Sequence, residues 1–190
     1  VRWPFRPATG LARARRWGCR PRAWVAGLLL AAGLLLMFGP LPGRTWLAVT
    51  DLATGRPVFA AALPDGTAIH LTWTNSLFGL QVEEEYVVRG GRLFQTSVTF
   101  ADPTGATPPA AGPADLDELY HTGGPFTVQG LERPFTEVIF LVSEVGRPRL
   151  TLVGWTLDLK GTVGFGGRVQ LRARPAHPAD LLIAIAGSPI

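Results

Sequence analysis

With 190 residues, 18 of them Lys or Arg and 14 Asp or Glu, the chain has room for one domain with a sizeable core and carries a formal charge of +4. Seven of the basic residues (Arg2, Arg6, Arg13, Arg15, Arg16, Arg20 and Arg22) precede Trp24 with no acid among them. Beyond that point eleven basic residues meet fourteen acids, which argues against a nucleic-acid-binding domain. A single Cys excludes an intrachain disulfide framework, and His70, His121 and His177 do not stand at zinc-ligand spacing.

Residues 1–22 form a basic segment, followed at 24–38 by a charge-free apolar run of fifteen residues. As a helix that run spans about 22 Å at 1.5 Å per residue. Widened to residues 23–41 it approaches membrane-spanning length, and it is predicted to be a membrane anchor or a signal h-region. The arginines before it keep the N-terminus cytoplasmic by the positive-inside rule. The expected product is a single-pass cell-membrane protein with residues 45–190 extracytoplasmic, or a secreted or periplasmic domain if the segment is cleaved. No convincing small-x-small cleavage site follows, since Gly43 has Leu41 two residues before it.

From residue 45 onward short β-branched and aromatic runs bounded by Gly and Pro replace any long run of period 3.6. Strands are predicted at 45–50, 57–62, 68–74, 82–89, 92–100, 126–129, 137–143, 149–153, 155–159, 168–173 and 181–186. Arg89-Gly90-Gly91-Arg92 is a two-glycine turn that makes a hairpin of its flanking strands. Residues 102–113 form a long loop, 115–120 one helical turn, and the Gly-rich 161–167 a connection between strands. The expected fold is all-β, a sandwich or small barrel of short antiparallel strands, preceded by one N-terminal transmembrane or signal helix.

The only asparagine, Asn75, sits beside Ser76 and a few residues before the triplet Glu83-Glu84-Glu85. Alternation along residues 82–88 puts Val82, Glu84, Tyr86 and Val88 on one face and Glu83, Glu85 and Val87 on the other. Glu84 thus interrupts the more apolar face, where a carboxylate needs partners. Asn75, Ser76, Glu83 and Glu84 are the candidate ligand-binding residues, with a buried polar staple as the structural alternative for the Asn75, Ser76 and Glu84 cluster. Glu83 and Glu85 with Asp102 or Asp115 match no calcium-loop spacing, and a solvated acidic strand face accounts for them more simply. Ser76, His70 and Glu84 hold the residue types of a hydrolase triad, yet no nucleophile-elbow glycines flank Ser76. The Gly164-Phe165-Gly166-Gly167 run fits neither a dinucleotide nor a phosphate loop. No catalytic residue, metal ligand or cofactor is assigned, and Trp73, Trp155, Phe94, Phe100 and Phe140 are expected in the core.

Trp73-Thr74, Ser76-Leu77 and Val82-Glu83-Glu84-Glu85-Tyr86 resemble the opening motif of a bacterial domain-of-unknown-function family, number 1850. Asn75 stands where that family usually has His and Gln81 where it usually has Pro, so no role of the imidazole carries over. The resemblance continues weakly through Gly90-Gly91-Arg92-Leu93, Thr156-Leu157-Asp158-Leu159 and Arg168-Val169-Gln170-Leu171. Members are often encoded beside TRAP-type transporters of the TAXI class. The resemblance therefore implies a non-catalytic accessory or ligand-handling partner of a transporter membrane subunit, able to take a small molecule or an ion. A hydrolase using Glu84 or Ser76 and a purely structural envelope domain are the alternatives.

Overall fold

The computed structural model describes residues 21–186; the expected basic segment 1–22 lies outside the described residues but for its last two positions, as does Cys19. The chain falls into two units, Val1–Leu35 and Leu36–Ile190. The apolar run forms helix α1 (Pro21–Phe38), entered through a proline whose missing N–H costs nothing in a first turn. Trp24, Leu28, Leu29 and Leu30 are exposed on it. Its 18 residues reach about 27 Å. Among the described residues no helix is long and apolar enough to cross a membrane.

The second unit is mostly β. Its strands are β1 (Arg44–Asp51), β2 (Pro57–Pro64), β3 (Ala68–Thr74), β4 (Gln81–Arg89), β5 (Arg92–Phe100), β6 (Ala110–Ala111), β7 (Phe126–Phe135), β8 (Glu137–Leu141), β9 (Arg149–Leu152), β10 (Trp155–Asp158) and β11 (Arg168–Pro175). They form a four-stranded sheet ordered β2-β1-β11-β8 and a seven-stranded one ordered β10-β9-β3-β4-β5-β7-β6. The small sheet is antiparallel, and the large one is mixed only because β6 runs parallel to β7. Neither sheet closes on itself, so the small barrel allowed by the sequence does not form.

Two short segments read from the sequence as strand or connection are helical. Residues 181–186 belong to α4 (Pro178–Ala186) and not to a last strand. Pro178 opens the helix, and the Asp180 carboxylate accepts the His177 backbone N–H at 2.7 Å, as a third-position acid does in a capping box. Inside the Gly-rich connection, α3 (Leu159–Val163) is capped by Asp158, whose side chain accepts from the Lys160 and Gly161 backbones. The helical turn expected at 115–120 is α2 (Leu116–Thr122), entered through a 3-10 turn at Pro113–Asp115.

Two hydrophobic clusters divide the inner face of the large sheet. In the first, Leu47, Val49, Val169 and Leu171 of the small sheet pack with Ile69, Leu71, Tyr86, Val88 and Leu150 of the large one. In the second, Val82, Val98, Phe100, Phe126 and Val128 are covered by Leu116, Leu119 and Tyr120 of α2. Trp73 touches both clusters and so stands on their seam.

The C-terminal end of this unit is fixed by an ion pair. Both Arg174 guanidinium nitrogens donate to Asp180, at 2.7 and 2.6 Å, and the Asp180 side chain is almost wholly buried. The Arg174 hydrogen bonds hold the Asp180 carboxyl below its usual range, assisted by the His177 N–H and opposed by burial. A depressed folded-state value means the stabilisation is complete above the unfolded carboxylate value of about 3.9 and is lost as pH falls through the lower folded value. Asp180→Asn is expected to cost about 1–2 kcal/mol at pH 7, reduced from the fully buried case because Arg174 is partly exposed. Equilibrium denaturation at pH 7 and pH 3 checks this: the gap between variant and wild type should narrow in acid.

Candidate ligand-binding site

Strand β4 presents its side chains in strict alternation, with Val82, Glu84, Tyr86 and Val88 buried and Gln81, Glu83 and Arg89 exposed. Glu84, 8% exposed, lies between a member of the second cluster, Val82, and a member of the first, Tyr86. It therefore occupies the same seam as Trp73, where neither apolar cover is continuous.

Three neutral donors meet its carboxylate. Trp73 Nε1 donates to Oε1 at 3.2 Å, while Tyr86 Oη at 2.5 Å and Gln95 Nε2 at 3.1 Å donate to Oε2. Tyr120 Oη of α2 stands 3.5 Å from Oε1, at the outer limit of a hydrogen bond. Burial first, and the Glu84 charge second, push both phenols well above their ordinary range; the Gln95 side chain opposes this at Tyr120, and the Arg133 guanidinium opposes it at both. Both hydroxyls keep their protons and remain donors. Among the described residues no Lys, Arg or His reaches Glu84 within 4.0 Å. The carboxylate is well hydrogen-bonded, but no ion pair among the described residues balances its charge.

Gln95 reaches this position because β5 is irregular. Glu85 pairs with Ser97 and Tyr86 with Gln95, so Thr96 is an extra residue, a β-bulge. Before the bulge Leu93 and Gln95 point inward, and after it Val98 and Phe100 do. Bulges re-aim side chains in this way and are frequent beside functional sites. The signal was present in the sequence as a change in the parity of the apolar positions between Leu93 and Val98.

The other candidates separate from Glu84. Asn75 is buried, but its Oδ1 accepts the Leu77 and Phe78 backbone N–H groups at 2.9 and 3.2 Å, closing the turn between β3 and β4. Neither Asn75 nor Ser76 supplies the hydrogen bonds to Glu84 that their closeness in sequence suggested. Opposite Leu80, Asn75 is four residues along the ladder from the Leu71–Glu84 pair, about 13 Å at 3.3 Å per residue. Asn75→Ala is expected to cost about 1 kcal/mol through the lost turn bonds, measured by thermal unfolding, with Ser76→Ala close to neutral. Glu83 lies on the outer face, 3.1 Å from His70 Nδ1. His70 is on the face opposite Glu84, so Ser76, His70 and Glu84 do not assemble as a triad. Glu85 meets Ser97, Asp102 meets Thr104 and Asp115 caps Gly112 N–H; among the described residues no three potential metal ligands come together. Of the aromatics expected in the core, Phe100 is fully buried, Trp73, Phe94 and Phe140 are half-buried, and Trp155 is exposed on an edge strand.

Glu84 and Ser76 do share one feature, a cavity of about 340 Å³. Eleven of the described residues line it, and Glu84 is the only charged one among them. Leu71 and Trp73 of β3 line it, and so do Ile139, Phe140 and Leu141 of β8, of which Phe140 faces the core and the other two are exposed. Val142 N–H donates to the Gly167 carbonyl and Ala173 N–H to the Thr136 carbonyl. Even-numbered residues of β8 thus turn their backbone groups toward β11, which leaves those of Ile139 and Leu141 on the open edge. A second cavity, of about 540 Å³, lies by the outer-face residues Thr72, Thr74 and Gln81. It mixes Arg147 and Arg149 with Glu144, already paired to Lys160 at 2.6 Å, so it offers no single charge preference.

No protein-family model matches the chain, and no curated protein does.

Proposed function

We propose that this protein is a non-catalytic, ligand-handling accessory of a TRAP-type transporter, a β sandwich held outside the cell membrane by its N-terminal apolar segment. The observation that carries the ligand-handling role is the cavity at the seam of the two clusters, where Glu84 and Trp73 are reached from an open strand edge. A cavity of this size with few polar groups in a mostly apolar lining is the usual form of a small-molecule site. The transport context is supported by the resemblance of residues 71–86 to the family 1850 motif. The location is supported by the charge-free run at 24–38 behind seven arginines.

Purification of the tagged full chain from native membranes, with mass spectrometric identification of what accompanies it, tests this role. A multi-spanning transporter subunit recovered in stoichiometric amount is the expected result. Recovery of the chain alone, from membranes in which that subunit is present and intact, would refute the accessory role.

A further inference from the structure

We infer that the cavity beside Glu84 binds a small organic cation, an ammonium group on an apolar body, with Glu84 as its counter-charge. This assignment rests on the ligand-handling role proposed above and specifies its ligand class. Charge is the first ground. Among the described residues Glu84 is the only charged one in the lining, its donors Trp73, Tyr86 and Gln95 are neutral, and no basic side chain pairs with it. A buried carboxylate without a cation is costly, so a ligand that brings one gains what the fold leaves uncompensated. An anionic ligand would meet the same charge as repulsion.

The remaining walls suit an ammonium and not merely any cation. Three N–H donors need acceptors, and the residues around this cavity carry them: the backbone carbonyls of Ile139 and Leu141, which do not pair with β11, the Ser76 hydroxyl, and the Ser143 hydroxyl, whose oxygen also accepts the Gly146 N–H at 2.8 Å. Trp73, whose indole is an aromatic group of the kind that attracts organic cations, lines the same space. Leu71 and the inward-facing Phe140 then offer apolar surface to the rest of the molecule. A strongly hydrated inorganic cation would gain nothing from those side chains, and a single carboxylate is too few for calcium. The volume of about 340 Å³ lies at the low end of small-molecule sites, which limits the ligand to a small body.

Isothermal titration of the full chain in detergent with butylamine, 1-butanol and butyrate at pH 7, against empty-micelle blanks, tests the assignment. Butylammonium is expected to bind about tenfold or more tightly than butanol, a difference of about 1.4 kcal/mol, with butyrate not binding. Glu84→Gln, of the same shape without the charge, should bring the amine down to the level of the alcohol. Equal binding of amine and alcohol, binding of butyrate, absence of amine binding, or an amine preference that survives in Glu84→Gln would each overturn it. If Glu84→Gln fails to fold, the three-probe comparison on the wild type decides alone. Amine preference without a co-purifying transporter subunit refutes the accessory role only, whereas the subunit without amine preference refutes the ligand class only.

Discussion

Glu84→Ala is expected to lower the stability of the folded chain by about 2–3 kcal/mol, although it removes a charge from a buried site. Alanine leaves the Trp73 indole N–H, the Tyr86 hydroxyl and the Gln95 amide without their acceptor, in a seam closed to all but the cavity side. Each such orphan costs on the order of 1–3 kcal/mol, and the relief of an unbalanced charge together with water entering the cavity offsets part of the sum. Glu84→Gln keeps the shape and an acceptor for Trp73, and should cost about 1 kcal/mol. Glu85→Ala, on the opposite face with one long bond from Ser97, should stay within about 0.5 kcal/mol. Equilibrium denaturation of the three variants checks the order. If Glu85→Ala matches Glu84→Ala, the inward placement of Glu84 is wrong.

Gly91→Ala should be at least as damaging, at about 3 kcal/mol, far from the cavity. Gly90 and Gly91 join β4 to β5 with φ of 56° and 77°, the left-handed conformations a two-residue hairpin turn demands. A methyl group on Gly91 would stand 2.4 Å from both the backbone nitrogen and Cδ of Pro175, atoms that cannot swing aside. Strain in φ and overpacking against backbone then add. At Gly90 a methyl group meets nothing within 4 Å, so Gly90→Ala bears the conformational cost alone, about 1 kcal/mol. The turn is further held by Asp65 and the buried Thr45, which accept the Gly90 and Gly91 N–H groups. Thermal unfolding of the two alanine variants separates the two contributions, and equal effects would contradict the Pro175 contact.

The sequence made the strands legible wherever period 2 ran between Gly or Pro boundaries. β3 and β5 have the predicted limits, and the Gly90-Gly91 hairpin and the inward face of Glu84 follow from the same alternation. The helix at 178–186 was missed because its apolar residues were weighed without the Pro178 and Asp180 start signals that precede them. The partners of Glu84 could not be found by nearness in sequence. Trp73 and Gln95 are each 11 residues away and Tyr120 is 36, brought in by register, by the bulge at Thr96 and by the packing of α2. Asn75, though closer in sequence than Trp73, lies farther along the ladder and serves its own turn. The open ends of the sheets were equally hidden, since strand count alone does not say whether edges pair.

That the seam beside Glu84 is a ligand site is tested most directly by an X-ray structure of the protein crystallised with the small-molecule extract of its own cells. The expected result is an organic molecule in the cavity of Glu84, Trp73 and Ser76, with a nitrogen about 3 Å from a Glu84 carboxylate oxygen and its apolar part against Leu71 and Phe140. A cavity filled by water alone, with molecules from the extract bound elsewhere or nowhere, would contradict it.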